Sequence, residues 1–159
     1  ALEQVDMSVV FTMPNADTGG RSIVEIINKF VKGHSRAYIV GNFGVDGYFS
    51  MMSSSAAMVG NSSSGIIEAA SFKLPVINIG TRQRGRVRGG NVIDVGYERA
   101  EIVQGIKRAM NGDFHRKLAK LVNPYGCGGA ADIIIRRLKE VELDNRLIIK
   151  QFIDLNCSN

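Results

Sequence analysis

In the stretch MVGNSSSGIIEAASFKLPVINIGTRQRGR, residues 58–86, two short apolar segments flank a loop of small residues and an apolar helical pattern opening at Gly65. Met58–Val59 and Val76–Ile79 are too short for buried helices, and both read as apolar on both faces. That pattern suits buried parallel strands covered by helices on either side. The same alternation runs through the chain. Val5–Met13 and Tyr38–Val40 read as strands before it, and Val92–Val95 as a fifth after it. Arg21–Lys32 reads as an amphipathic helix with Ile23, Ile26, Ile27, Phe30 and Val31 at helical spacing, and Asp46–Ser55 as a helix whose Tyr48, Phe49, Met51 and Met52 enter the core. Strands alternating with helices predict a doubly wound, Rossmann-like α/β fold with a parallel sheet. From about residue 99 the pattern is helical, with helices at Arg99–Met110, Asp113–Val122, Gly129–Val141 and Asn145–Leu155. No repeat or long linker divides residues 1–159, which read as one domain.

The loop Gly60–Gly65 carries the chemistry. Glycines and small hydroxyl residues between a strand and a helix let backbone N–H groups approach an anion, and a helix N-terminus behind them adds roughly half a positive charge. Ser62, Ser63 and Ser64 exceed the single serine an N-cap requires. Glu68, one turn into the helix, can serve the helix dipole or can accept hydrogen bonds from a sugar diol. It is the only acid between Gly60 and Phe72. The loop TRQRGRVRGG places Arg82, Arg84, Arg86 and Arg88 just past a strand's C-terminal end, where open α/β sheets bind ligands. Serine loop, Glu68 and Arg82 together point to a nucleoside diphosphate, with phosphates on the loop and ribose on the glutamate. Asn15 and Asp17, past the first strand, read as an Asx-type turn before a helix, with Gly19 and Gly20 supplying freedom. His34 and His115 lack acid–nucleophile partners and read as structural or surface residues.

The net charge of +5 invites a nucleic-acid reading. No aromatics are interleaved with the loop arginines, however, and a small anionic ligand explains the cluster better. No apolar run reaches the roughly 18 residues that span a bilayer. The start, ALEQVDMSVVF, lacks both an initiator Met and a signal-peptide layout, so the sequence reads as a piece of a longer chain. Cys127 and Cys157 have no metal-ligand spacing, which fits a reducing cytoplasm and incidental thiols. No acids converge on the phosphate loop, so no metal or other cofactor is expected.

The run from Gly60 to Glu68 followed by Pro75 to Arg86 resembles the hydrolysing UDP-N-acetylglucosamine 2-epimerases, which have the two-domain GT-B architecture. Met13–Gly20 (MPNADTGG) and Asn123–Gly128 (NPYGCG) match two further family motifs in order, across about residues 7–140. The resemblance implies the C-terminal, UDP-binding half of such an enzyme, with the N-terminal catalytic domain outside this sequence. It implies that Ser62 and Ser63 contact the phosphates, Glu68 the ribose hydroxyls and Arg82 the UDP, with Arg86 second to it. Arg84 and Arg88 fall at less constrained positions and read as surface charge. Asn15 is implied at the cleft, and Phe43, in the Gly41–Gly44 loop, at the uracil. Cys127 stands where many relatives carry Asp, so that turn is not counted as a site. The activity implied is elimination of UDP from UDP-N-acetylglucosamine and hydration to N-acetylmannosamine, in a cytoplasmic homo-oligomer. Its general acids and base lie mostly on the N-terminal domain, so this segment is expected to be inactive alone. Two alternatives stay open: the donor-binding domain of a GT-B glycosyltransferase, and a non-catalytic nucleotide-sugar binding module.

Overall fold

A computed structural model describes residues 1–14 and 19–149. Strand β4, Val76–Ile79, organises the first of two compact units, Ala1–Gly126. Side chains alternate across a strand, and β4 sends consecutive residues into different clusters. Val76 packs with Met52, Ala69 and Leu74, while Ile77 packs with Ile93, Ile106 and Ala109. Both faces are therefore covered, as the apolar Pro75–Val76–Ile77 run requires.

Around it lie β1 (Val9–Thr12), α1 (Gly20–Gly33), β2 (Ala37–Val40), α2 (Gly44–Ser54), β3 (Met58–Gly60) and α3 (Ser64–Ile67), with a 3-10 turn at Ala69–Phe72. After β4 come β5 (Val92–Val95), α4 (Arg99–Ala109) and α5 (Gly112–Leu118). All the strand pairs are parallel, in the ladders β1–β2 and β3–β4–β5. This is the Rossmann-like α/β class, although the expected single sheet is drawn as two ladders, and no hydrogen-bonded register joins them among the described residues.

The expectation of strands apolar and buried on both faces holds for β4 alone. β1 is half-buried, Tyr38 of β2 is 53% exposed and Val59 of β3 is 38% exposed. Nor do the four large residues of α2 all enter the core: Met52 is buried, whereas Phe49 stays 37% exposed with its ring 5.4 Å from that of Phe72. In α1, Ile23 and Ile26 face outward while Ile27, Phe30 and Val31 are half-buried. The second unit, Cys127–Asn159, contains α6 (Ala130–Glu140) and α7 (Asn145–Ile148) among its described residues. On α6, Ile133, Ile134, Ile135 and Leu138 are each more than half exposed. The sequence-based helix from Asn145 to Leu155 extends beyond the described residues.

Candidate functional site

The chain turns sharply as it leaves β3. Gly60 adopts φ 148°, a conformation that L side chains avoid, and the turn releases Asn61, Ser62 and Ser63 past the strand's C-terminal end. Ser63 takes the N-cap position of α3 without a side-chain cap bond, and the Ser62 hydroxyl accepts from the Ser64 N–H at 3.3 Å. The backbone N–H groups of Ser62 and Ser63 donate to no acceptor among the described residues. They are therefore available to an anion.

The supporting helix departs from the sequence-based reading. It opens at Ser64 and runs only four residues before tightening into the 3-10 turn, which Lys73 ends in the left-handed region at φ 55°. A macrodipole needs a stack of aligned peptides, so one turn cannot supply the half charge a longer helix would. Positive potential here comes from local N–H groups and from arginine. Gly65 also serves a different purpose from anion approach: a Cβ there would lie 2.8 Å from Val76 Cγ1. Its absence lets α3 sit directly on β4.

Glu68 ends α3 and turns toward a cavity of about 440 Å³, lined also by Thr12, Met13, Val40, Asn42 and Phe43. Its Oε2 is buried and has no hydrogen-bond partner among the described residues. A buried acceptor without a donor is costly, and this oxygen is placed to accept from a donor that enters the cavity. Phe43, half-buried at the N-cap of α2, supplies an aromatic face to the same cavity. The cavity thus joins a carboxylate and an aromatic ring, one turn from the free amides of Ser62 and Ser63. Asn15 and Asp17 lie outside the described residues.

The arginine loop reaches the serine loop directly. Arg82 Nη1 donates to the Asn61 carbonyl at 3.1 Å, and the Gln83 amide donates to the same oxygen at 2.7 Å. Gln83 is 2% exposed. Arg86 is exposed, and its side chain makes no ion pair or hydrogen bond among the described residues. Arg88 is not the surface charge its position suggested. Its guanidinium donates to the Gln83 and Arg86 carbonyls at 3.0 and 2.8 Å and pairs with Asp94 at 2.9 Å. Asp94 in turn accepts from Asn78 of β4 at 2.6 Å.

Three further hydrogen bonds were not readable from the sequence. Asn123 Nδ2 donates to the Ile67 carbonyl and to Ser71 Oγ, each at 2.8 Å, so the NPYG segment fastens the end of α3. Tyr125 donates its hydroxyl to the Val87 carbonyl at 3.0 Å and holds the arginine loop from the other side. The NPYG motif was visible, but its partners lie 38 to 56 residues away in sequence.

A wider cleft of about 890 Å³ lies on the other side of the arginine loop, where Arg84, Arg88 and Arg108 share the lining with Asp94 and Glu101. Its charge is mixed, and neither Glu68 nor the serine loop lines it. Beside it, Tyr97 is titrated below its ordinary range. The Thr81 hydroxyl and Thr81 N–H stabilise the phenolate by hydrogen bonding, and the Arg84 charge adds to this. Among the described residues, no three His, Cys, Asp or Glu side chains converge as metal ligands, and no helix is long and apolar enough to cross a membrane.

Parallel strands covered by helices, with a serine loop, an arginine loop and a buried carboxylate gathered past the strands' C-terminal ends, define a Rossmann-like α/β protein. The chain belongs to the UDP-N-acetylglucosamine 2-epimerase family, whose profile matches residues 1–139. That membership sets aside the glycosyltransferase alternative. The UDP-N,N'-diacetylbacillosamine 2-epimerase (hydrolyzing) of Legionella pneumophila is 36% identical over 145 residues, covering 91% of this chain and 37% of that protein. The GDP/UDP-N,N'-diacetylbacillosamine 2-epimerase (hydrolyzing) of Campylobacter jejuni is 41% identical over 150 residues, covering 93% and 38%. This chain thus spans little more than a third of the length of these curated relatives. The crystal structure of the Neisseria meningitidis UDP-GlcNAc 2-epimerase bound to UDP-GlcNAc shares the fold, with a TM-score of 0.63, 23% identity, and coverage of 83% of this chain and 36% of that one. The S. aureus MnaA–UDP co-structure does so with a TM-score of 0.71 and 22% identity, covering 86% and 37%.

Proposed function

We propose that residues 1–126 carry the UDP site of a hydrolysing UDP-amino-sugar 2-epimerase, an enzyme that eliminates UDP from a UDP-2-acetamido sugar and hydrates the product to the C2 epimer. The buried Oε2 of Glu68, unpartnered among the described residues, carries the reading: it faces a cavity, and the loop that opens its helix holds two free backbone amides. A ribose diol presents two O–H donors to such a carboxylate, and a diphosphate presents acceptors to the amides. Ser62 and Ser63 would hold the phosphates, with Arg82 swinging from the Asn61 carbonyl to neutralise them and Arg86 adding charge from the exposed side of the loop. Phe43 would cover the uracil, and Asn15 would contact the ligand at the cleft. The activity belongs to a longer cytoplasmic, homo-oligomeric protein whose general acids and base lie mainly in an N-terminal domain.

The sugar is either UDP-N-acetylglucosamine or its diacetylated bacillosamine counterpart. The second is favoured by relatives at 36% and 41% identity that are named for it, against 32% for the UDP-N-acetylglucosamine 2-epimerase of Neisseria meningitidis.

Calorimetric titration of the 159-residue chain with UDP, with and without EDTA, tests the site. Saturable binding that survives EDTA is expected, because arginine and amide donors hold the phosphates directly. Loss of binding on chelation would replace this picture with a metal-bridged one, and no binding in either buffer would remove the UDP site.

A further inference from the structure

We infer that Gln83 is a positioning residue for the phosphate-binding loop, and that its donated hydrogen bond aims the Ser62 N–H into the ligand site. The inference rests on the UDP reading for its ligand and on separate observations for its geometry. A trans peptide is planar, with its C=O and N–H on opposite sides. Fixing the Asn61 carbonyl therefore fixes the direction of the Ser62 N–H, one of the two free amides of the loop.

Two donors hold that carbonyl, and they are not equivalent. Gln83 is 2% exposed and donates at 2.7 Å, whereas Arg82 is exposed and donates at 3.1 Å. Long exposed side chains exchange partners readily, and a buried amide does not. When an anion arrives, Arg82 can leave the carbonyl for the phosphate while Gln83 keeps the peptide oriented.

Gln83 is itself braced. Its carbonyl accepts from Arg88 at 3.0 Å, Arg88 pairs with Asp94 at 2.9 Å, and Asp94 accepts from Asn78 at 2.6 Å. Asn78 lies in the centre of β4 and is 1% exposed. The chain of contacts runs without a break from the most buried strand to the loop that meets the ligand. This arrangement also gives a reason for a buried glutamine in a loop of arginines. Its Oε1 has no hydrogen-bond partner among the described residues, so the residue pays the cost of burying an amide while using only the donor half of it.

Gln83→Met and Gln83→Glu separate donation from packing. Methionine fills the volume without a donor, and glutamate keeps the shape but turns an acceptor toward the carbonyl. Both variants should weaken UDP about tenfold, the size of one net hydrogen bond, with glutamate the worse. Uridine, which has no phosphates, should bind as before. Amide order parameters of Ser62 and Ser63, measured by NMR without ligand, should fall in both variants while those of β4 stay high. Unchanged UDP affinity, or equal losses for UDP and uridine, would overturn the positioning role. So would Ser62 and Ser63 amides as ordered in the variants as in the parent chain. Failure of the parent chain to bind UDP would instead overturn the underlying reading, and the order parameters would still judge the brace.

Discussion

Glu68 is where a single side chain decides between two explanations of the site. A carboxylate beside a phosphate repels it, so Glu68 is useful only if it meets the neutral sugar. Its buried, unpartnered oxygen fits that role, since a ribose hydroxyl would satisfy it. Hydrogen bonds to a charged acceptor contribute about 1.5–3 kcal/mol each. Glu68→Ala should therefore weaken UDP by at least about tenfold. Pyrophosphate, which lacks ribose, should bind within about twofold of the parent chain or slightly tighter, because a nearby negative charge has gone. Parallel titrations of both ligands by calorimetry read the difference. Equal losses would assign Glu68 to fold stability or loop geometry.

At the scale of elements, the contact between α3 and β4 sets where the serine loop sits. Gly65→Ala brings opposing effects into one substitution. Alanine in place of glycine within a helix gains up to about 1 kcal/mol of propensity. Its Cβ, however, would meet Val76 Cγ1 at 2.8 Å, and overpacking a tight core costs about 1–3 kcal/mol. Packing should win, because Val76 is itself 2% exposed and backed by Met52 and Leu74. Urea unfolding should show a net loss of about 1–2 kcal/mol, and Val76→Ala in the same chain should relieve the clash. A neutral or stabilising Gly65→Ala would mean that α3 shifts freely on the sheet. The same contact shows what could be read in advance. Apolar runs placed β4 and β5 to the residue, because a short buried strand has little other pattern. The brevity of α3 was hidden, since its apolar residues continue into the 3-10 turn at Ala69–Phe72 and periodicity does not distinguish the two over four residues. Ser62, Ser63, Glu68 and Arg82 stood out by residue type and by a recognisable motif. Gln83 and Arg88 did not, because their meaning depends on Asn61 and Asp94, which only the folded chain brings within hydrogen-bond reach. A glutamine among arginines reads as a solvated turn until its burial is known.

For the whole molecule, binding and turnover should separate. The serine loop and Arg82 can stabilise departing UDP by charge, but moving the C2 proton needs a general base and acid within hydrogen-bond reach of the reacting carbons. Around the cavity, the described lining offers Glu68 as its one carboxylate, and the proposed ribose contact occupies that group. His34 is committed elsewhere: its ring stacks on Phe30 with centroids 3.9 Å apart, and its Nδ1 lies 2.7 Å from the Phe30 carbonyl. Each missing acid–base group typically costs about 10²–10⁴-fold in rate. The 159-residue polypeptide, made alone, should therefore bind UDP yet epimerise neither UDP-N-acetylglucosamine nor UDP-N,N'-diacetylbacillosamine above background. Fusing it to the N-terminal portion of the Campylobacter jejuni relative, which is 41% identical where the two overlap, should bring turnover back with that relative's sugar. A coupled assay for UDP release, run beside chromatographic detection of the epimerised sugar, distinguishes simple hydrolysis from epimerisation. Sustained epimerisation by the polypeptide alone would overturn this division of labour and direct the search for a base to Asp17.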